Sequence, residues 1–521
     1  MNDLAFARHV SDRLGYGPRP GDLDDILHAG ADRWIAQQLR PQNISLPKDL
    51  SARLADLSGL AITPGEALRT YGPQAARDGE GKPDPEKVKA LRQEARFIPA
   101  QGVEARLVRA VESPRQLEET LVDFWFNHFN VFAAKGLDAL WITSYEQEAI
   151  RPHVLGNFRD LVGATARHPA MLFYLDNWQN SAPGSAGAKG AFKGLNENYA
   201  RELMELHTLG VDGGYTQADV IALARILTGW GFGGRGGGGA GGIRPLRDTM
   251  HLRERLKPAA DAHNAGRFAF TEARHDFADK IFLDHTIKGH GEREGEEALD
   301  ILAHHPATAR HISFKLAQYY LADEPDAATV AAMTETFQKT KGDIRAVLTT
   351  LFASAAFRDP AQFGAKFKTP MRYAVSAVRS TGVPFRNFRP LFGVLTQLGQ
   401  PIYGCLTPDG YKCTEAAWLN ADAMTRRITF AVALAAGRLP LGSDPPDRPI
   451  AVKRPERMAD RMAQRLDAAA AGAPPEPAVN AETLRTTLGD LFSDTTRAAI
   501  AETQPELRAS LMLGSPEFMR C

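Results

Sequence analysis

Cysteine is scarce in this chain of 521 residues, which contains only Cys405, Cys413 and Cys521. No C-x-x-C pair occurs, so the sequence excludes a zinc ribbon and a thioredoxin-type redox site. Cys405 and Cys413 bracket the turn-rich stretch L-T-P-D-G-Y-K, a spacing that suits a small disulfide loop or two reduced thiols. The sequence leaves these alternatives open, because the redox state of the compartment decides between them.

A surplus of charge of one sign is also missing, since 62 Lys and Arg residues balance 62 Asp and Glu residues. A neutral chain has no overall field that attracts polyanions, so we expect no nucleic-acid partner. No apolar run approaches the ~18 residues of a spanning helix, so we expect no membrane span. The opening residues M-N-D-L-A-F-A-R-H-V form no apolar leader, which predicts a cytoplasmic location unless a leader was removed. The oligomeric state is not indicated.

Several catalytic motifs are absent as well. The chain contains no Walker A loop, no G-x-S-x-G and no H-E-x-x-H. A G-x-G-x-x-G match at residues 236–241 follows no predicted strand, so it does not indicate a dinucleotide-binding loop. These absences disfavour nucleotide binding and serine hydrolysis.

Apolar residues at helical spacing are abundant, whereas stretches with the alternation of a strand are rare. This pattern predicts an all-α fold, a large helical domain with long Gly/Pro-rich loops and only short hairpins. We expect a main domain over residues 1–438, with a further division near 250–290 left open. Residues 439–521 are predicted to form a loop, with one amphipathic helix at 456–470, and C-terminal helices that pack back on the main domain.

The most polar helical stretch is N-E-N-Y-A-R-E-L-M-E-L-H-T-L-G, residues 196–210, which we call the polar segment. On a helix, Asn198, Arg201, Glu202 and Glu205 share one face. Glu197, Arg201 and Glu205 also fit an ordinary ladder of surface ion pairs, so the segment is either a solvated face or the wall of a cleft. Glycine-rich loops at 180–191 and 233–242, which we predict to be mobile, favour the cleft.

Glu202 and Glu205 are candidate catalytic residues, because neighbouring carboxylates raise one another's proton affinity and can supply an acid and a base. Cleavage of a glycosidic bond requires carboxyl groups on different sides of that bond, which neighbours on one helix cannot provide. We therefore predict Asp176 or Asp276 as the catalytic partner. Asn198, Arg201 and His207 are predicted to bind substrate.

A second polar stretch, D-F-W-F-N-H-F-N at residues 123–130, is rich in aromatic side chains. These side chains fit either core packing or a platform on which a sugar ring stacks. On the second interpretation Asp123, Trp125 and His128 bind substrate.

Metal chemistry is an alternative. Glu202 and Glu205, with some of His128, His207 and His275, could serve a metal-dependent oxidoreductase. However, His207 follows Glu205 by two residues and therefore does not match the Glu-x-x-His pairs of di-iron helices. We therefore predict no metal ligands and no cofactor, and keep a divalent metal as the alternative.

Several blocks in the chain carry a resemblance to a known family. They are the two stretches above, with G-P-R-P-G-D (17–22), A-R-H-P-A-M-L-F-Y-L-D-N (166–177), K-F-K-T-P (366–370), T-P-D-G-Y (407–411) and S-P-E-F-M-R (515–520). The chain thereby resembles the bacterial family called domain of unknown function 1800, whose activity is not settled. The resemblance implies a periplasmic location if a leader was removed, because many members are exported.

Three functions follow as hypotheses. The first is a carboxylate-dependent hydrolase or lyase that acts on a bacterial oligo- or polysaccharide. The second is the metal-dependent oxidoreductase. The third is a non-catalytic binding or assembly protein in which the polar segment is structural.

Overall fold

The computed structural model describes residues 3–78, 81–190, 192–233, 266–445 and 476–521. Within these ranges the chain is mainly helical, which confirms the predicted all-α fold. The strands of the described ranges form two small antiparallel sheets. β1 (Trp230–Phe232) pairs with β2 (Phe268–Phe270), and β3 (Lys280–Phe282) pairs with β4 (His285–Ile287).

The helices before the polar segment fill the first third of the chain. They are α1 (Asp3–Leu14), α2 (Asp22–Ala29), α3 (Ala31–Gln38), α4 (Lys48–Ala55), α5 (Pro64–Tyr71), α6 (Pro85–Glu94), α7 (Phe97–Glu112), α8 (Gln116–His128), α9 (Asp138–Ser144), α10 (Phe158–Arg167) and α11 (Pro169–Tyr174). A π-helical turn, Tyr145–Ile150, continues α9.

The remaining helices begin with the polar segment. They are α12 (Asn198–Glu202), α13 (Gln217–Ile226), α14 (Glu292–His304), α15 (Pro306–Tyr320), α16 (Ala327–Lys339), α17 (Ile344–Ala353), α18 (Ala355–Arg358), α19 (Pro370–Thr381), α20 (Arg389–Gln397), α21 (Glu415–Trp418), α22 (Ala421–Ala435), α23 (Ala481–Leu488), α24 (Asp494–Glu502) and α25 (Pro505–Gly514). Among the helices of the described ranges, none is both long and apolar enough to cross a membrane.

α7 and α8 lie in the centre of the molecule. Each is buried on nearly all sides, as expected of a helix surrounded by others. Leu107 of α7 and Leu121 and Trp125 of α8 have no exposed surface. One apolar core includes residues from Phe6 to Met519, so the C-terminal helices α23 to α25 share it. The helix predicted at 456–470 lies outside the described residues, as does most of the 233–242 loop.

The 180–190 stretch is anchored by backbone hydrogen bonds to the region before β3. Ala182 donates to the carbonyl of Arg274 at 2.8 Å, and Gly187 donates to that of Ala273 at 2.6 Å. Mobility of this loop therefore stays a prediction, to be tested in solution.

Candidate functional site

The polar segment changes its helical geometry halfway along. α12 ends at Glu202, and a π-helical turn runs from Leu203 to His207. The turn closes when the Thr208 hydroxyl donates to the Leu203 carbonyl at 2.6 Å. Gly210 then reverses the chain at φ 86°, close against the His311 ring. π-Helical turns within helices are rare and are frequently found at functional sites.

Two buried histidines hold the end of this turn. Nε2 of His128 donates to the His207 carbonyl at 3.1 Å, and Nε2 of His311 donates to the Leu206 carbonyl at 3.4 Å. Burial lowers the pKa of His207 to about 3 and that of His311 to about 4, and it lowers the pKa of His128 well below its usual range. All three imidazoles are therefore neutral at pH 7, and two of them bind backbone.

The end of α8 also positions a second wall, the loop of residues 405–413, which we call the facing loop. The Asn127 side chain donates to the Tyr411 carbonyl at 2.8 Å and accepts from the Tyr411 amide at 2.7 Å. Asn130 donates to the carbonyls of Cys405 and Thr407 at 3.1 and 2.9 Å. The 123–130 stretch is therefore a scaffold that fixes both walls of the site.

The cysteines of the facing loop are free thiols. The Cys405 thiol donates to the Thr407 carbonyl at 3.7 Å, whereas the Cys413 thiol donates to Gln318 of α15, also at 3.7 Å. The two thiols thus have separate partners.

Glu202 of the polar segment and Asp409 of the facing loop are two carboxyl groups whose pKa values are shifted in opposite directions. Partial burial raises the pKa of Glu202, and the nearby carboxylates of Glu205 and Asp409 raise it further. For Asp409, hydrogen bonds from Lys412 and Thr407 outweigh partial burial and lower the pKa. The Lys412 ammonium lies 2.7 Å from the Asp409 carboxylate. Environments that separate the pKa values of two carboxyls are typical of acid–base pairs.

The ion-pair ladder expected for a solvated face is also present. Arg201 lies 3.2 Å from Glu197 and 3.4 Å from Glu205, with side chains 26–37% exposed. Glu202 is not part of this ladder. The polar segment is therefore a surface ladder along one edge and a wall of the site along the other.

The predicted partners Asp176 and Asp276 lie elsewhere. Asp176 is beside the start of the polar segment and pairs with Lys135 at 3.0 Å. Asp276 pairs with Arg225 of α13 at 2.7 Å. The Asn198 side chain donates to the Leu175 carbonyl at 3.1 Å. Each of these three side chains therefore has a partner of its own outside the facing loop.

Three further candidates are buried. The Trp125 ring has no exposed surface, and its Nε1 donates to the Val154 carbonyl at 3.2 Å. Asp123 belongs to a buried ion network with Arg106, at 2.7 Å. His275 bonds to Glu294 at 2.8 Å in a separate cluster without side-chain exposure. Trp125 therefore offers no surface on which a sugar could stack.

The sequence did not single out Asp409, Lys315 or His311. They come from the facing loop and from α15, which are remote in the chain from the polar segment. The T-P-D-G-Y block was a usable signal, because a D-G pair in a turn places a carboxylate on a fixed backbone. Within the described ranges, no group of three or more His, Cys, Asp or Glu side chains is arranged to hold a metal ion.

The chain belongs to the family described as "Protein of unknown function (DUF1800)", which matches residues 9–520. No curated protein and no solved structure matches it.

Proposed function

We propose that the site between the polar segment and the facing loop is the active site of a carboxylate-dependent hydrolase. The observation that carries the proposal is the contrast between Glu202, whose pKa is raised, and Asp409, whose pKa is lowered. A raised pKa favours the protonated form that a general acid needs, and a lowered pKa favours the ionised form that a general base needs.

The proposed substrate is a bacterial glycan. Hydrolysis of a glycosidic bond uses two carboxyl groups that reach the bond from different sides. Glu202 and Asp409 belong to different walls, which supports this assignment better than two glutamates on one helix. Glu202 would protonate the leaving-group oxygen. Asp409 would accept a proton from the water whose oxygen attacks the anomeric carbon.

The test is turnover on a panel of bacterial oligo- and polysaccharides, measured as release of reducing ends. Glu202→Gln and Asp409→Asn are each expected to lower turnover by about 100-fold or more, the usual contribution of a general acid or base. Glu197→Gln, on the ladder edge of the same segment, is the matched control and is expected to retain activity. Wild-type protein that cleaves no glycan, or a Glu202→Gln variant with full activity, would overturn the proposal.

A further inference from the structure

Lys315 is a partly buried lysine of α15 without a carboxylate partner. It lies one helical turn after His311 and faces Cys413, Lys412 and Asp409 of the facing loop. Burial is the main cause that lowers its pKa. In the described part of the chain, its ammonium makes no ion pair and no hydrogen bond.

Other buried lysines, by contrast, have ion-pair or hydrogen-bond partners. Lys280 pairs with Glu294, Lys366 pairs with Asp323, and Lys368 donates to the Ser376 hydroxyl at 3.0 Å. Each of these ammonium groups recovers part of the free energy lost on leaving water. Lys315 does not, because the nearest acidic group, Asp409, is already paired with Lys412.

The histidines beside Lys315 have unused nitrogen atoms. Nε2 of His207 and Nδ1 of His128 are buried and have no hydrogen-bond partner among the residues that the structure describes. The His128 ring lies 6.0 Å from the His207 ring and 6.3 Å from the ring of His311, which is one helical turn before Lys315. The charge of Lys315 adds to the effect of burial in lowering the pKa values of His128 and His207. A neutral imidazole can present an N–H donor at such a nitrogen, so His207 can add a hydrogen bond to any acceptor held by the lysine.

We propose that Lys315 and His207 form an anion-binding subsite between the polar segment and the facing loop. It takes a carboxylate or a phosphate of the substrate. A lysine is suited to such a group as a point charge with three donors. The inference rests on the proposed function and narrows it to a glycan that carries acidic groups.

The experiment is isothermal titration of the full chain with three probes: glucuronate, glucose 6-phosphate and glucose. The first two carry the two candidate anions, and glucose is the neutral control. Lys315→Met removes the charge, Lys315→Arg keeps it, and Lys339→Met removes an exposed lysine of α16 that pairs only with Glu335. Thermal unfolding of each variant accompanies the titration.

One acidic probe is expected to bind wild type, and its carboxylate or phosphate identifies the natural group. Lys315→Met should weaken that binding by a factor of about 10 to 100, the loss of one charge-assisted hydrogen bond. Lys315→Arg and Lys339→Met should keep it. Lys315→Met should unfold at the same or a higher temperature, because an unpaired ammonium is no longer buried.

Equal binding of the acidic probes by wild type and Lys315→Met, or no acidic binding by wild type, would overturn the subsite. Glu202→Gln separates this outcome from failure of the proposed function. If the subsite alone is wrong, Glu202→Gln still abolishes glycan turnover. If the catalytic assignment alone is wrong, acidic probes still bind in a Lys315-dependent way.

Discussion

Two clusters of ionisable side chains adjoin α8. The charges of one cluster are paired with opposite charges, and two groups of the other are not. In the buried network, the Arg106 guanidinium lies 2.7 Å from Asp123 and 3.2 Å from Glu146. The hydroxyls of Tyr319 and Tyr403 donate to these carboxylates at 3.0 and 2.9 Å. In the proposed active site, by contrast, Glu202 lies near other carboxylates, and Lys315 has no ion-pair partner within the described residues.

The network continues to the surface through a second arginine. Arg151 binds both oxygens of Glu119 at 3.0 Å and reaches Glu146 at 3.4 Å. Burial alone would lower the pKa of an arginine, but the surrounding carboxylates outweigh it and raise the pKa of both Arg106 and Arg151. The network thus stabilises its charges, whereas the cleft disfavours the charge of Glu202. This difference supports the proposal that the network serves the fold and that the site around Glu202 serves catalysis.

The largest expected effect is that of Arg106→Met. The change leaves Asp123 and Glu146 buried without their shared cation, which typically costs about 3–5 kcal/mol of unfolding free energy. Chemical denaturation measures this cost. Arg201→Met, which removes only part-exposed pairs, is the control and should cost under about 1 kcal/mol. Similar losses in the two variants would remove the distinction between the clusters.

Gly410→Ala should disturb the backbone of the facing loop without removing an ionisable side chain. Gly410 has a φ of 68°, and an added Cβ would lie 2.2 Å from the Asn127 carbonyl oxygen. Gly184→Ala is the control, because Gly184 has a φ of 76° but open space around it. Both changes carry backbone strain of about 1–3 kcal/mol, and only Gly410→Ala adds a clash. We expect a larger loss of thermal stability and of glycan turnover for Gly410→Ala. Equal losses would show that the loop is not held against α8.

The pH dependence of Glu202→Gln should be a small effect of defined sign. Because the folded-state pKa of Glu202 lies above its ordinary value of 4.5, the folded protein holds this proton more tightly than the unfolded chain. Its contribution to stability therefore falls as the pH rises from the unfolded pKa through the folded pKa. The melting temperature of Glu202→Gln minus that of wild type should grow over this window. The corresponding difference in unfolding free energy should stay under about 1 kcal/mol, since water screens a partly exposed group. A melting-temperature difference that shrinks with rising pH would contradict the raised pKa of Glu202.

The local spacing of apolar and polar residues predicted much of the fold. Of the two walls of the proposed site, it predicted only the polar segment. The spacing of apolar residues identifies helices such as α8 and α15, because the helical period of 3.6 residues is visible within a few adjacent turns of sequence. The same spacing predicts a regular helix for residues 196–210, and nothing in it indicates the π-helical turn at Leu203–His207. That turn is held by His128 and His311, which approach from other helices.

The sequence predicted Asp176 or Asp276 as the partner carboxylate, whereas the proposal made from the structure uses Asp409 of the facing loop. Asp176 and Asp276 instead form ion pairs with Lys135 and Arg225. Asp409 reaches the site because Asn127 and Asn130 fix the facing loop. A contact between segments that are remote in the chain cannot be predicted from the local periodicity of the sequence. The aromatic stretch around Trp125 was open to two interpretations, and its complete burial agrees with core packing.

The most direct test of the contrast between the clusters is the unfolding free energy of Glu202→Gln and Glu146→Gln, measured together with glycan turnover. Both variants replace a carboxylate with its neutral isostere. Glu202→Gln should be as stable as wild type or slightly more stable, because repulsion from Glu205 and Asp409 is relieved, and it should lose turnover. Glu146→Gln should lose several kcal/mol, about the cost of breaking a buried pair. A loss of stability in Glu202→Gln as large as that in Glu146→Gln would make the polar segment structural and contradict the assignment of an active site.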